Sequence, residues 1–259
     1  MNKPLPKLKN FNDTRDSLRQ AMQPLRSTRL GGSDVLPNNL NYGTFPTKYG
    51  ATTGQLNFGG ELQLDFLKLE IRYEKDGKEI FEVPLNGKDQ VSLFNEVFEK
   101  FGEAGISLEP ERDKITEKSE FKLDSSVAKE YAETQHRVYT AMDKFRSGLT
   151  GTNTPIILWP HGFDLSFLSF IKGNKEGKDP HINFGFSPGF GEQRPYLYFY
   201  VWPVKEELFE VKLPLEGKWN KDWGTPGVSF GYDGLREVED PEETIYKTLS
   251  SILNMVNGN

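Results

Sequence analysis

Apolar residues recur at helical spacing in four stretches of the chain and at alternating spacing in several others. Leu18, Met22 and Leu25 fall on one helical face over residues 13–25, with Asn12 or Asp13 placed to cap it. Val91, Phe94, Val97, Phe98 and Phe101 form a second stripe, opened by Asp89 and closed near Gly102 or Gly105. Val127, Tyr131, Val138, Met142, Phe145 and Leu149 predict a long helix from about Ser125 to Gly148, with His136 on the opposite side and so facing solvent. The closing helix starts at Asp240-Pro241-Glu242-Glu243, an N-cap acid, a first-position proline and a capping-box glutamate, and runs through Ile245, Leu249, Leu253 and Val256.

Between these helices the period drops to two. LQLDF alternates from Leu62, and KLEIRYEKDGKEIFEVPL folds back on itself at Asp76-Gly77, the best hairpin signal in the chain. PIILW, DLSFLSF, HINFGF and YLYFYVW predict further strands, whereas Gly31 to Gly60 reads as turns with one or two short strands. The reading is an α+β protein with antiparallel sheets and three or four helices. Residues 1–11 form a flexible basic arm and 12–259 one domain, which divides at the polar stretch 108–120 into halves 12–107 and 121–259, each ordered helix, strands, helix.

Composition narrows the function classes. The chain has no cysteine, so disulfides, thiolate metal sites and a cysteine nucleophile are excluded, and a reducing cytoplasmic setting is the expectation. No apolar run approaches the roughly 20 residues of a membrane span. The net charge of −6 is uneven, because residues 1–30 carry seven Lys/Arg against two Asp; this balance argues against nucleic acid as a partner. Two glycine motifs are set aside. Gly227-Val-Ser-Phe-Gly231 has no histidine after it to complete a nucleophile elbow, and Gly185 to Gly191 leads into a strand rather than the helix a phosphate loop opens.

Residues 159–202 hold 12 aromatic residues in 44, twice the chain average, and among them lie His161, Asp164 and His181. The spacing His161-x-x-Asp164 in a turn lets a carboxylate fix one imidazole tautomer while the other nitrogen acts as base or ligand, with His181 and Glu192 able to complete the set; equally, His161 and Asp164 can simply bond within their turn. In YLYFYVW, Leu197, Phe199 and Val201 share one face and Tyr198, Tyr200 and Trp202 the other. A strand apolar on both faces is either buried on both or binds something. Trp159, His161, Phe163, Asp164, His181, Tyr198, Tyr200 and Trp202 are therefore the expected lining of an aromatic site for an apolar or planar small molecule. The alternatives are a subunit interface on the same face and an enzyme with a His161/Asp164 acid-base or metal site. The spacing matches no familiar metal-ligand set, and the cofactor and the oligomeric state are open.

Trp159-Pro160-His161, then Phe163-Asp164-Leu165, followed by Phe186-Ser187-Pro188-Gly189 and a Pro-Tyr-x-Tyr strand, resembles the central block of an uncharacterised bacterial family of unknown function. GELQLDF, FEVPLNG and DKFRSGL extend the similarity over the body of the chain from about residue 12. The resemblance implies membership and supplies no catalytic roles.

Overall fold

The computed structural model describes residues 3–258. In chain order, α1 (Phe11–Ala21) and α2 (Gln23–Gly32) precede a 3-10 turn at Pro37–Tyr42. The strands β1 (Phe45–Thr47), β2 (Gly50–Thr52), β3 (Glu61–Asp65), β4 (Glu70–Lys75) and β5 (Lys78–Pro84) come next, then α3 (Gln90–Glu103) and α4 (Ser125–Ser147). The remainder is β6 (Thr152–Asn153), β7 (Ile157–Trp159), β8 (Asp164–Phe170), β9 (His181–Ser187), β10 (Tyr196–Trp202), a 3-10 turn at Glu206–Glu210, β11 (Lys218–Asn220), β12 (Gly227–Gly231), α5 (Tyr232–Arg236) and α6 (Pro241–Asn257). The class is α+β with antiparallel sheets, as the period changes predict, but the described residues form six α-helices rather than three or four.

The two extra helices have local reasons. The single helix expected over 13–25 is broken at Met22, because Pro24 restarts the chain as α2. That helix escapes a periodicity search since its buried positions include Arg26, Ser27, Thr28 and Arg29. Arg29 is held by tertiary partners, donating through Nη1 and Nη2 to the carbonyls of Thr53 and Leu40 and lying 4.9 Å over the Phe45 ring. Helix α5 is only five residues long and follows β12 directly.

Chain contacts divide the molecule into two compact units. One comprises 8–133 and 157–163; the other comprises 3–7, 134–156 and 164–258. The polar stretch 108–120 is an irregular connection inside the first unit, and the division passes through α4 instead.

In the first unit a five-stranded meander runs β1-β2-β3-β4-β5. Its hairpin turn is Asp76-Gly77, with both residues at positive φ (53° and 72°) as a two-residue type I′ connection requires. Alternation puts Leu62, Leu64, Ile71, Tyr73, Phe81 and Val83 in the core, where Phe101 of α3 meets Tyr73 and Phe81 edge-on at 5.0 and 5.1 Å. Asp89 caps α3 by accepting from the Ser92 amide at 2.7 Å.

The second unit is built on an antiparallel sheet in the order β11-β12-β10-β9-β8-β6. One face is the core: Phe167, Phe184, Phe186, Leu197, Phe199, Val228 and Phe230 are all buried. Phe145 of α4 meets Phe184 edge-on at 5.1 Å, and Ile245, Leu249, Ile252 and Val256 of α6 are buried in the same unit. Asp240 caps α6 through the Glu243 amide at 3.0 Å, with Pro241 at its first position. Residues 3–7, expected to form a loose arm, are held in this unit with Leu5 buried. Among the described residues no helix is long and apolar enough to cross a membrane.

Candidate functional site

The second face of the large sheet follows from strand register. Pairing places Ser166, Gly185, Tyr198 and Ser229 in one row across β8, β9, β10 and β12. Leu168, Asn183, Tyr200 and Gly227 form the next row, and Phe170, His181 and Trp202 the third. Because side chains alternate along a strand, all of these project from the face opposite Phe184 and Phe199. The parity expected from YLYFYVW holds: Leu197, Phe199 and Val201 are buried, while Tyr198, Tyr200 and Trp202 are half-buried.

Two polar pairs organise this face. The Tyr198 hydroxyl donates to Asp164 Oδ2 at 2.6 Å. Burial, and then the charge of and hydrogen bond to Asp164, hold the phenol far above its ordinary pKa, so it is a permanent donor. Its ring crosses β9 directly over Gly185, where a Cβ would stand 2.2 Å from the phenol carbon that bears the hydroxyl. The glycine is what lets the ring lie there. In the second pair, Asn183 Nδ2 donates to the Tyr200 hydroxyl at 2.7 Å, and burial raises the Tyr200 pKa despite the opposing effect of that bond. Asn183 is 7% exposed, and its Oδ1 is buried with no hydrogen-bond partner. Whichever way the amide is turned, one of its polar atoms is left over.

Aromatic rings border these pairs. The Trp202 ring stacks on His181 at 5.8 Å with only 15° between planes, and Tyr196 lies 6.1 Å from Tyr198 and 5.9 Å from Trp223. His181 is fully buried and its Nδ1–H donates to the Asp179 carbonyl at 2.8 Å.

The expected residues therefore divide. Asp164, His181, Tyr198, Tyr200 and Trp202 share the second face of the large sheet, termed open because Asp164, Tyr198, Tyr200 and Trp202 are only half-buried on it, while Ser166, Leu168, Phe170, His181 and Asn183 are buried. Trp159, His161 and Phe163 belong to the other unit. There His161 is exposed, its ring 5.9 Å from that of Trp159. Phe163 adopts a left-handed φ of 58° and is a core residue, 5.1 Å from Tyr131 and 5.7 Å from Phe66. The carboxylate that spacing offered to His161 takes up a tyrosine 34 residues away. Asn183, Gly185 and Ser166 were not singled out from sequence, although an Asn and a Gly interrupting the apolar run HINFGF mark a face that is not core. Ser229 of the Gly-x-Ser-x-Gly stretch sits within β12, paired on both sides, and accepts from Asn220. Among the described residues no cluster of three or more His, Asp or Glu could hold a metal ion.

A family model matches residues 4–256, nearly the whole chain. The chain belongs to DUF5996, a family of unknown function. The resemblance drawn from the Trp-Pro-His block and the Phe-Ser-Pro-Gly turn thus leads to a family without an assigned activity. No match was found among curated proteins or among solved structures. Membership in DUF5996 names no ligand, and any functional reading rests on the open face itself.

Proposed function

We propose that this chain is a binding module that holds a planar, uncharged, polar small molecule on the open face of its large sheet. The observation that carries this is the Asn183–Tyr200 pair. Tyr200 accepts from the amide with its oxygen and so keeps its own proton to donate, while Asn183 Oδ1 is an acceptor with nothing to accept from. A donor beside an unmatched acceptor suits a ligand edge that carries both kinds of group, since buried polar atoms are ordinarily paired. Trp202 and Tyr198, one row to either side of Tyr200 on the same face, supply aromatic surface, which favours a flat ring. The Asp164 carboxylate and the negative charge of Glu176, both of which raise the Tyr200 pKa, disfavour an anion.

Native mass spectrometry of the protein isolated from cell extract tests the reading. Wild type is expected to retain a small-molecule mass that Asn183→Leu loses, and Tyr200→Glu is expected to lose it with no change in subunit number. No retained mass in wild type, together with a fall in subunit number for Tyr200→Glu, would turn the face into a contact between copies instead.

A further inference from the structure

Residues 3–7 read Lys-Pro-Leu-Pro-Lys. Pro4 and Pro6 have no N–H, so this irregular stretch offers its surroundings chiefly carbonyl oxygens. Within the large-sheet unit a row of donors takes those carbonyls in sequence. Arg137 donates through Nη2 to the Lys3 carbonyl and through Nη1 to that of Pro4 at 3.0 Å. Arg236 Nε donates to the Leu5 carbonyl at 3.2 Å, the Tyr232 hydroxyl to that of Pro6 at 2.7 Å, and Arg194 Nη2 to that of Lys7 at 2.8 Å. Five successive carbonyls are satisfied by four side chains.

The donors are held in place without help from the segment. Glu242 binds Arg137 at 2.9 Å, Asp233 holds Arg194 through two bonds of 3.1 and 2.8 Å, and Glu237 pairs with Arg236 at 2.5 Å. Tyr232 is set against Thr134 Oγ1 at 3.0 Å, and burial keeps its hydroxyl protonated. Such a groove is preorganised for an acceptor-rich extended peptide. Leu5 supplies the apolar anchor, fully buried, while Lys3, Pro4 and Lys7 are exposed.

Immediately after the segment the backbone is strained. Leu8 and Asn10 have φ of 50° and 53°, in the left-handed region that a leucine disfavours. A short docked segment followed by a strained hinge is the arrangement from which segments exchange between copies. We propose that Arg137, Arg194, Tyr232 and Arg236 form a receptor groove for a Lys-Pro-Leu-Pro-Lys segment, filled in cis by residues 3–7 and exchangeable for the same segment of a second copy.

The test titrates the peptide acetyl-Lys-Pro-Leu-Pro-Lys-amide into the full chain. Wild type is expected to bind it weakly, because the resident segment competes. Leu5→Asp, which expels the resident, is expected to bind about tenfold tighter, as apparent affinity scales with the fraction of open groove. Pro4→Gly/Pro6→Gly, which loosens the resident without a buried charge, should act in the same direction. Arg194→Ala added to Leu5→Asp should remove binding. Mixing labelled and unlabelled wild type should give mixed dimers at high concentration that Leu5→Asp does not form. Folded Leu5→Asp and Pro4→Gly/Pro6→Gly chains that ignore the peptide at millimolar concentration would overturn the receptor groove, and so would loss of the fold in both. Peptide binding without mixed dimers would overturn the exchange.

Discussion

The two faces of the large sheet are built from the same strands and obey different rules. On the core face Phe167 stacks on Phe184 at 5.4 Å and Phe145 meets Phe184 edge-on, with Ser169 and the buried, unpartnered indole nitrogen of Trp219 as polar exceptions. On the open face the same strands carry Asp164, Ser166, Asn183, Tyr198 and Tyr200, tied into pairs whose geometry depends on a glycine and whose hydrogen bonding is incomplete. Burial alone accounts for the first face. The second spends aromatic residues where they are only half-buried and leaves an amide oxygen unmatched, a pattern expected where specificity has been kept at the expense of stability.

Breaking the core face has the largest expected effect. Phe184→Ala removes a fully buried ring with two aromatic neighbours and should cost about 3–5 kcal/mol in chemical denaturation. Gly185→Ala comes next. Its methyl group would overlap the Tyr198 ring, so a loss of about 1–3 kcal/mol is expected from overpacking. The same substitution in a Tyr198→Ala background should be nearly harmless, and additive losses would show that Gly185 is needed for some other reason.

The Tyr198–Asp164 pair sharpens the contrast through pH. The folded-state pKa of Tyr198 lies far above its unfolded value, near 10, because of burial and the adjacent carboxylate. The folded state therefore holds this proton more tightly. Its contribution to stability is complete below about pH 10 and declines as pH rises from there through the folded pKa. Tyr198→Phe should flatten the alkaline limb of a stability–pH curve measured from pH 8 to 12, and an unchanged limb would mean that the phenol is not desolvated.

Much of this architecture was legible from local pattern. Asp240-Pro241, Asp89 and Asp76-Gly77 set helix starts and a hairpin by chemistry confined to a few residues, and the alternation in YLYFYVW told the faces of β10 apart. What escaped depends on distant partners. Helix α2 buries Arg29 against carbonyls 11 and 24 residues away, so no apolar stripe marks it in the sequence beyond Leu25. Residues 3–7 looked loose because the donors that hold them lie more than 130 residues further along the chain. The site was seen in composition and missed in pairing. His161 and Asp164 are neighbours in sequence, but the bond that defines Asp164 comes from Tyr198, which only strand register brings near.

The central claim is that the pairs on the open face are kept for a ligand and not for the fold. Equilibrium unfolding of the double variant Asn183→Leu/Tyr200→Phe addresses it most directly, since both partners of the bond are replaced by apolar groups of similar size and the orphaned oxygen disappears. The account predicts a stability within about 0.5 kcal/mol of wild type, or above it. A loss of more than about 2 kcal/mol would contradict it, because the pair would then be part of what holds the sheet together.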